Sequence, residues 1–255
     1  MKAVNIIILL CLITINSLVL GQSIGLQVDS SRTVLFGRDT MCCGDRFLWL
    51  ASKKAAFIGT MAYPQDTIGE YSFSVGRSRA VGYKTVAFSE SFAEGNSSMA
   101  IGNAHSIGNY SLAGGLSTTY GDLSVAFGNS IAGGHNSLAV GNSSTNADFA
   151  VSFGISHGEG QRSASFNQTR ADAYLCSTFG RYNIGGGSPT DFVSTDPIFE
   201  VGNGADDFHR NNAFTIYKDG LISLGNTLGY TKLALYKSGA ANYGMGVVSG
   251  QFRFN

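Results

Sequence analysis

Glycine recurs at alternating steps of seven and six residues through the middle of this 255-residue chain. A fixed period of this kind is typical of a solenoid, in which each repeat stacks on the one before it. Two successive steps make 13 residues, which is too short for a pair of helices but suits one coil of two short strands and two tight turns. Glycine adopts positive φ without strain, so the period predicts an all-β parallel solenoid with a positive-φ turn at every glycine. The glycines of the period are Gly69, Gly76, Gly82, Gly95, Gly102, Gly108, Gly115, Gly121, Gly128, Gly134, Gly141, Gly154 and Gly160, and the two gaps hold Ser89 and Ala147.

Within the repeat, small residues alternate with large ones. We number each coil from 1 to 13, with Glu70 at position 1 of the first coil and Tyr174 at position 1 of the ninth. Strand side chains alternate between the two faces of a sheet, and a coil this thin has room only for small side chains inside, so positions 3 and 5 are predicted to be interior. Position 3 holds Ser72, Thr85, Ser98, Ser111, Ser124, Ser137, Ala150, Ser163 and Cys176, and position 5 holds Ser74, Ala87, Ala100, Ala113, Ala126, Ala139, Ser152, Ser165 and Thr178.

Positions 4 and 6 are mostly large and apolar, and the same alternation places them on the outside. Coils stack about 4.8 Å apart, so the nine coils predict an apolar stripe about 40 Å long. A monomer rarely leaves such a stripe bare, and a closed homo-oligomer is the simplest way to cover it. The residues are Phe73, Val86, Met99, Leu112, Val125 and Leu138 at position 4, with Val75, Phe88, Ile101, Phe127, Val140 and Phe153 at position 6.

The second half of the coil has a different outer face. Positions 9 and 11 again carry small residues, whereas positions 8, 10 and 12 are polar and varied. This pattern predicts a second sheet whose outer face meets solvent or a ligand. Its outer residues include Arg77, Arg79, Glu90, Glu94, His105, Tyr120, Asn142, His157, Glu159, Arg170 and Asp172.

The first 21 residues have the pattern of a secretory signal peptide. Lys2 supplies the positive start, residues 4–20 are mostly apolar, and a cut before Gln22 is expected. A membrane anchor is the alternative, but Thr14, Asn16 and Ser17 interrupt a run that is short for a span. We therefore expect an exported mature chain without a membrane span, at the cell surface or outside the cell. Because Lys plus Arg and Asp plus Glu both number 17, no net charge favours nucleic acid as a partner.

The cysteines leave two alternatives open. Cleavage of the signal peptide is expected to remove Cys11. The mature chain then has three cysteines, Cys42, Cys43 and Cys176, an odd number in an oxidising compartment. Adjacent cysteines rarely bond each other because the geometry is strained, which leaves free thiols or an interchain bridge. Four Asn-x-Ser/Thr sequons, at Asn96, Asn109, Asn142 and Asn167, matter only in a host that glycosylates exported chains.

The segments NSLAVGNSS, LSVAFGNS and SSMAIGNA resemble the head repeats of trimeric autotransporter adhesins, the YadA-like family. The Ser-x-Ala-x-Gly core recurs from Ser72 to Gly154, and the resemblance covers residues 69–187. It implies a left-handed parallel β-roll, a homotrimer of chains side by side, and attachment to a surface glycan or an extracellular protein. The chain lacks the coiled-coil stalk and the anchor pattern of that family, so a free-standing head is expected. Residues 22–68 and 188–255 are predicted to be small β caps, with a hairpin turn at Lys218-Asp219-Gly220 between Phe214–Tyr217 and Leu221–Leu224.

No group of residues predicts catalysis, a cofactor or a metal. Asp122, His135 and Asp148 share position 1 of successive coils and could hold a cation, but polar residues after a glycine turn more often form a turn ladder. His209, beside Asp206 and Asp207, is expected to lie in a solvated loop. The sequence thus predicts a non-enzymatic adhesion or surface-structural protein. The alternatives are the receptor-binding tip of a tail fibre, or a carbohydrate-active enzyme, which would need clustered carboxylates.

Overall fold

A computed structural model describes residues 25–28, 34–37, 44–61, 67–225, 229–238, 241–248 and 251–254. The predicted signal peptide, Cys42 and Cys43 lie outside these residues. All regular structure in the described residues is β, which confirms the predicted all-β solenoid with 13-residue coils. The chain divides into two compact units, Met1–Ser106 and Ile107–Asn255.

The first unit begins with an antiparallel meander and continues into three coils. Strands β1 to β4 pair in chain order, and β4 then pairs in parallel with β5, the first strand of the first coil. The first strands of the coils form one parallel sheet, β5-β7-β9, and the second strands form another, β6-β8-β10. The strands are β1 Gly25–Val28, β2 Val34–Gly37, β3 Gly44–Leu50, β4 Ala55–Met61, β5 Phe73–Val75, β6 Arg79–Ala80, β7 Val86–Ser89, β8 Phe92–Ala93, β9 Met99–Gly102 and β10 His105–Ser106.

The second unit contains six coils and a β-structured end. The first strands of these coils form one parallel sheet, β11-β13-β15-β17-β19-β21. The second strands form the other, β12-β14-β16-β18-β20. Strand β22 adds in parallel to β21, and β23 and β24 continue the same sheet antiparallel. Strands β25, β26 and β27 form a separate antiparallel sheet. The strands are β11 Leu112–Gly115, β12 Thr118–Thr119, β13 Val125–Gly128, β14 Ile131–Ala132, β15 Leu138–Gly141, β16 Ser144–Thr145, β17 Val151–Gly154, β18 His157–Gly158, β19 Ala164–Asn167, β20 Arg170–Ala171, β21 Ser177–Arg181, β22 Pro197–Asn203, β23 Asn212–Tyr217, β24 Ile222–Ser223, β25 Gly229–Ser238, β26 Ala241–Val248 and β27 Gln251–Phe254.

The interior of each coil is built from small side chains, as the alternation predicts. Every residue at positions 3 and 5 is buried, and the small residues of positions 9 and 11 are buried with them. The large residues of positions 4 and 6 lie on the outside, half-buried or exposed. The predicted separation of a small-residue interior from an apolar outer stripe is therefore confirmed.

Serine hydroxyls inside the coil bond the backbone. At position 9, Ser156 Oγ donates to the carbonyl oxygen of Phe153 at 3.0 Å. The same Oγ lies 3.2 Å from the carbonyl oxygen of Ser165 in the next coil. At position 3, Ser124 Oγ donates to the carbonyl oxygen of Gly121 at 2.6 Å. These bonds satisfy carbonyl groups that water cannot reach, so serine serves a purpose that alanine of similar size does not.

The two glycines of each coil serve different purposes, which corrects the prediction of positive φ at both. At position 7 the residue does have positive φ, as in Gly154 at 92°. At position 13 the glycine instead lies against the next coil, because a Cβ added to Gly121 would lie 2.0 Å from the carbonyl oxygen of Gly134. The second positive-φ residue of the coil is at position 2, which holds no glycine: Tyr71, Lys84, Ser97, Tyr110, Leu123, Asn136, Phe149, Arg162 and Leu175.

The predicted hairpin with its turn at Lys218-Asp219-Gly220 is confirmed. Strands β23 and β24 pair antiparallel through Thr215 with Ser223 and Ile216 with Ile222. The N–H of Gly220 donates to the carbonyl oxygen of Tyr217 at 2.9 Å, and Gly220 has a φ of 91°. Glycine at this site avoids the cost of positive φ in the turn.

Candidate functional surface

An exposed row of rings runs along the outer face of the first sheet in the second unit. We call Phe127, Val140, Phe153, Phe166 and Phe179 the aromatic row; each occupies position 6 of its coil. Phe127 is 39% exposed, Phe153 37% and Phe179 39%, although each belongs to a strand whose inner face is closed. The parallel register explains the row, because Phe127 pairs with Val140 and Val140 with Phe153 at the same position of adjacent coils.

Three rings of this row, those of Phe153, Phe166 and Phe179, contact one another directly. Phe153 and Phe166 are stacked with their centroids 5.7 Å apart, and Phe166 and Phe179 are stacked at 4.7 Å, with interplanar angles of 8° in both pairs. Phe166 thus has a stacked ring on each side, whereas Phe127 lies beside Val140. The exposed fractions show that the rings are not covered on the outside. The row is therefore an exposed apolar surface, a property that suits packing against a partner.

The outer face of the second sheet is polar in the first unit, with one stacked column at position 10. The guanidinium carbon of Arg79 lies 4.2 Å from the centroid of the Phe92 ring, whose other neighbour is the imidazole of His105 at 4.8 Å. His105 Nε2 is 3.4 Å from the carboxylate of Glu94. Both faces of Phe92 are thus covered, and the column holds charged groups of both signs on one surface.

In the second unit the same outer face carries pairs of side chains from adjacent coils. Ser144 Oγ lies 2.7 Å from His157 Nδ1, and Asn146 Nδ2 donates to Glu159 Oε1 at 2.8 Å. A serine beside a histidine can be a nucleophile and its base, but catalysis of that kind also needs a group that orients the imidazole. Glu159 bonds Asn146, and no described carboxylate hydrogen-bonds His157. The pair therefore belongs to a polar surface.

Position 1 forms the turn ladder that the sequence allowed as an alternative to a cation site. The backbone N–H of Asn109 donates to Asp122 Oδ1 at 2.7 Å, that of Asp122 to His135 Nδ1 at 3.2 Å, and that of His135 to Asp148 Oδ1 at 2.9 Å. Each side chain thus caps the backbone of the preceding coil. Among the described residues no group of His, Cys, Asp and Glu is arranged to hold a metal ion.

A buried polar cluster closes the end of the roll, and the sequence analysis did not predict it. Glu200 in β22 pairs with Thr178, so it continues the interior position 5 with a carboxyl group where the coils have Ser, Ala or Thr. Asn212 Nδ2 donates to Glu200 Oε1 at 2.6 Å, and Asn183 Nδ2 donates to Glu200 Oε2. Burial raises the pKa of Glu200, although these donors oppose the shift. Its signal in the sequence was a single acid between Phe199 and Val201, at an inward place in the alternation.

Asp172 corrects one expectation, since it was predicted on the polar outer face. It is buried, and its Oδ2 accepts from Arg170 Nε and from the N–H of Gly186, at 2.7 Å in each case. The loop after β22 behaves as predicted: His209 is exposed and bonds Asp206, which lowers the pKa of that carboxyl. Cys176 is a free, buried thiol, and burial raises its pKa.

Comparison with protein-family models, with curated proteins and with solved structures gives no match for this chain. The residues that the structure describes include no helix with the length and apolar character needed to cross a bilayer. The function must therefore be argued from the surfaces themselves.

Proposed function

We propose that this chain is an exported, non-enzymatic adhesion or surface-structural protein that acts as a homotrimer. Three copies would meet through the aromatic row and turn the polar face of the second sheet outward. That face would contact a surface glycan or an extracellular protein. The YadA-like repeats described above support this assignment, and the N-terminal pattern supports export.

The observation that carries the proposal is the exposed aromatic row. Phe153, Phe166 and Phe179 are stacked on one another. Phe127, Phe153 and Phe179 are each more than a third exposed in the single chain. Burying apolar surface contributes about 25 cal/mol per Å², so leaving such a row in water forgoes a large stabilisation. A symmetric assembly of identical chains covers identical rows without any further component.

The opposite outer face supports the binding role. It presents hydroxyl, amide, imidazole and carboxylate groups in short side-chain pairs rather than in a cavity. A flat polar surface of this kind suits attachment to an extended partner more than turnover of a small substrate. Non-enzymatic binding is therefore the function that we infer.

The assembly is tested with the mature protein by light scattering coupled to size-exclusion chromatography. The double variant Phe127→Asp, Val140→Asp places two carboxylates in the row and is expected to be monomeric. The matched control is Ile131→Asp, because Ile131 is 46% exposed on the outer face of the second sheet. The control should keep the mass of the wild type. A double variant with an unchanged mass, or a wild type that is already monomeric, contradicts the trimer.

The binding role is tested separately on an array of glycans and matrix proteins. The wild type is expected to bind at least one class of ligand, and the double variant His157→Ala, Glu159→Ala is expected to lose signal there. Absence of any signal from the wild-type trimer contradicts the adhesion role and leaves a purely structural one.

A further inference from the structure

Three ionisable side chains at the end of the roll lie largely out of solvent, and two of them, Lys218 and Asp196, are close together. The side chain of Lys218 is fully buried, and those of Asp196 and Asp172 are 12% and 9% exposed. Lys218 Nζ has no hydrogen-bond partner among the described residues, and neither does Asp172 Oδ1. Burying an amine and carboxylates in this way is unfavourable unless close bonds compensate for the lost water.

The lysine is placed directly against one of these acids. Pro197 and Tyr217 pair across β22 and β23, and Lys218 and Asp196 follow them as the next pair, joined by a backbone bond of 3.0 Å from the N–H of Lys218 to the carbonyl oxygen of Asp196. The side chains lie on the same side, with Nζ 3.8 Å from Asp196 Oδ2. The two groups are thus in near contact but do not form a hydrogen bond.

The surroundings of the pair exclude water and fix both acids. The rings of Phe192 and Tyr174 lie 5.3 and 5.8 Å from Lys218 Nζ. The glycine segment 185–187 has positive φ throughout. Around it, the N–H of Gly186 donates to Asp172 and that of Ser188 donates to Asp196, at 2.7 and 2.8 Å.

We propose that Lys218 and Asp196 become joined by an intramolecular isopeptide bond. The amine nitrogen of Lys218 attacks Cγ of the Asp196 carboxyl group, a C–N bond forms, and one C–O bond breaks. The carboxyl oxygen leaves with two protons as one water molecule, so the step needs no oxidant, reductant or other reactant. The product is a neutral amide, which removes two buried charges from a site that solvates them poorly.

Proximity is the physical reason for the reaction. Reacting groups held together in a folded chain can have effective molarities of about 10⁵ M or more, which makes an amide bond accessible without an activated acid. The bond would close the ends of β22 and β23 covalently. The cap at this end of the roll would then resist fraying. This inference does not depend on the proposed adhesion role.

Mass spectrometry of a tryptic digest tests the bond in the wild-type chain. Trypsin cleaves after Arg181, Arg210, Lys218 and Lys232, and a lysine in an amide is not cleaved. The expected product is a branched peptide in which residues 182–210 are joined to residues 211–232, lighter than the sum of the two by one water. Recovery of free peptides 182–210 and 211–218 from the folded wild type overturns the proposal.

Variants separate the bond from a simple ion pair. Lys218→Met and Asp196→Ala should each give only unbranched peptides. Lys53→Met is the matched control, because Lys53 Nζ instead donates to the carbonyl oxygen of Ile68. A branched peptide that persists in Lys218→Met would assign the link to another residue and contradict the proposal.

Discussion

At one turn of the coil Gly154 has a φ of 92°, while at the other turn Gly121 has an ordinary φ and lies against the next coil. The first turn requires a positive φ, which residues other than glycine can adopt at a cost in free energy. At the same position Ser89 has a φ of 70° and Asn167 a φ of 69°. The second turn lies close to a carbonyl group of the next coil, and in the first eight coils its position 13 holds only glycine or, at Ala147 and Ala173, alanine, so no side chain larger than a methyl group occurs there.

The difference shows that one spacing can arise from two physical causes. The left-handed conformation that the second turn requires falls two residues later, at position 2, on residues such as Leu123. Its N–H donates to the carbonyl oxygen of Asn109 in the preceding coil at 2.8 Å. This bond between coils offsets the cost of about 1–2 kcal/mol that a left-handed L-residue carries. Four substitutions test the comparison, in order of decreasing effect.

Gly121→Val is expected to lower the free energy of unfolding by about 3 kcal/mol or more, because its Cβ would overlap the carbonyl oxygen of Gly134. The midpoint of urea unfolding, followed by circular dichroism, measures the change. Gly220→Ala is the control for φ alone, since a Cβ at Gly220 (φ 91°) would meet nothing within 4 Å. Its loss should be about 1 kcal/mol. Equal losses in the two variants contradict the steric account.

Ser156→Ala should destabilise the chain by about 1 kcal/mol, since the carbonyl group of Phe153 loses its buried hydroxyl donor. The same urea midpoint reports it. Ser144→Ala, which removes a half-buried hydroxyl on the outer face, serves as the comparison and should change the midpoint little. If both serines prove equally dispensable, the interior hydroxyls have no part in holding the turn at position 7.

Leu123→Gly is expected to stabilise the chain by about 0.5 kcal/mol, because glycine removes the cost of φ at 57° on a side chain that is 55% exposed. Thermal unfolding of this variant is compared with that of Leu123→Ala, which shortens the side chain without the same freedom in φ. A lower melting temperature for the glycine variant than for the alanine variant would show that position 2 is not strained.

Gly154→Asn should cost about 0.5 kcal/mol, since asparagine tolerates left-handed φ while its Cβ would make a tight contact, 3.0 Å from the carbonyl oxygen of Asn167. Asn167 already occupies this position in the next coil. Gly154→Val, which cannot adopt the conformation easily, is the contrasting variant in the same unfolding experiment. Similar midpoints for the two variants would show that this turn requires room for the side chain rather than a residue that tolerates positive φ.

The sequence predicted the coil well because small interior residues and large outer ones repeat with the pitch of a strand. Ser124, Ala126 and Phe127 are placed as the alternation predicts. The sequence did not distinguish the glycine at position 7, which has positive φ, from the glycine at position 13, which lies against the next coil. The clash at Gly121 depends on how closely the next coil approaches, and the sequence does not give that distance. Nor did it predict the cluster at Glu200 or the burial of Asp172, since both lie where the repeat ends and contacts come from distant parts of the chain.

The register of the parallel strands has one further consequence. Ala126 lies beside Ala139 and Phe127 beside Val140 only because their coils have the same length. Adding or deleting a single residue would turn the outward rings into the narrow lumen and expel the serines, whereas gaining or losing a complete turn would leave every face as it was. The number of coils can therefore change in evolution only by whole repeats, and such a change leaves the cross-section of each coil as it was.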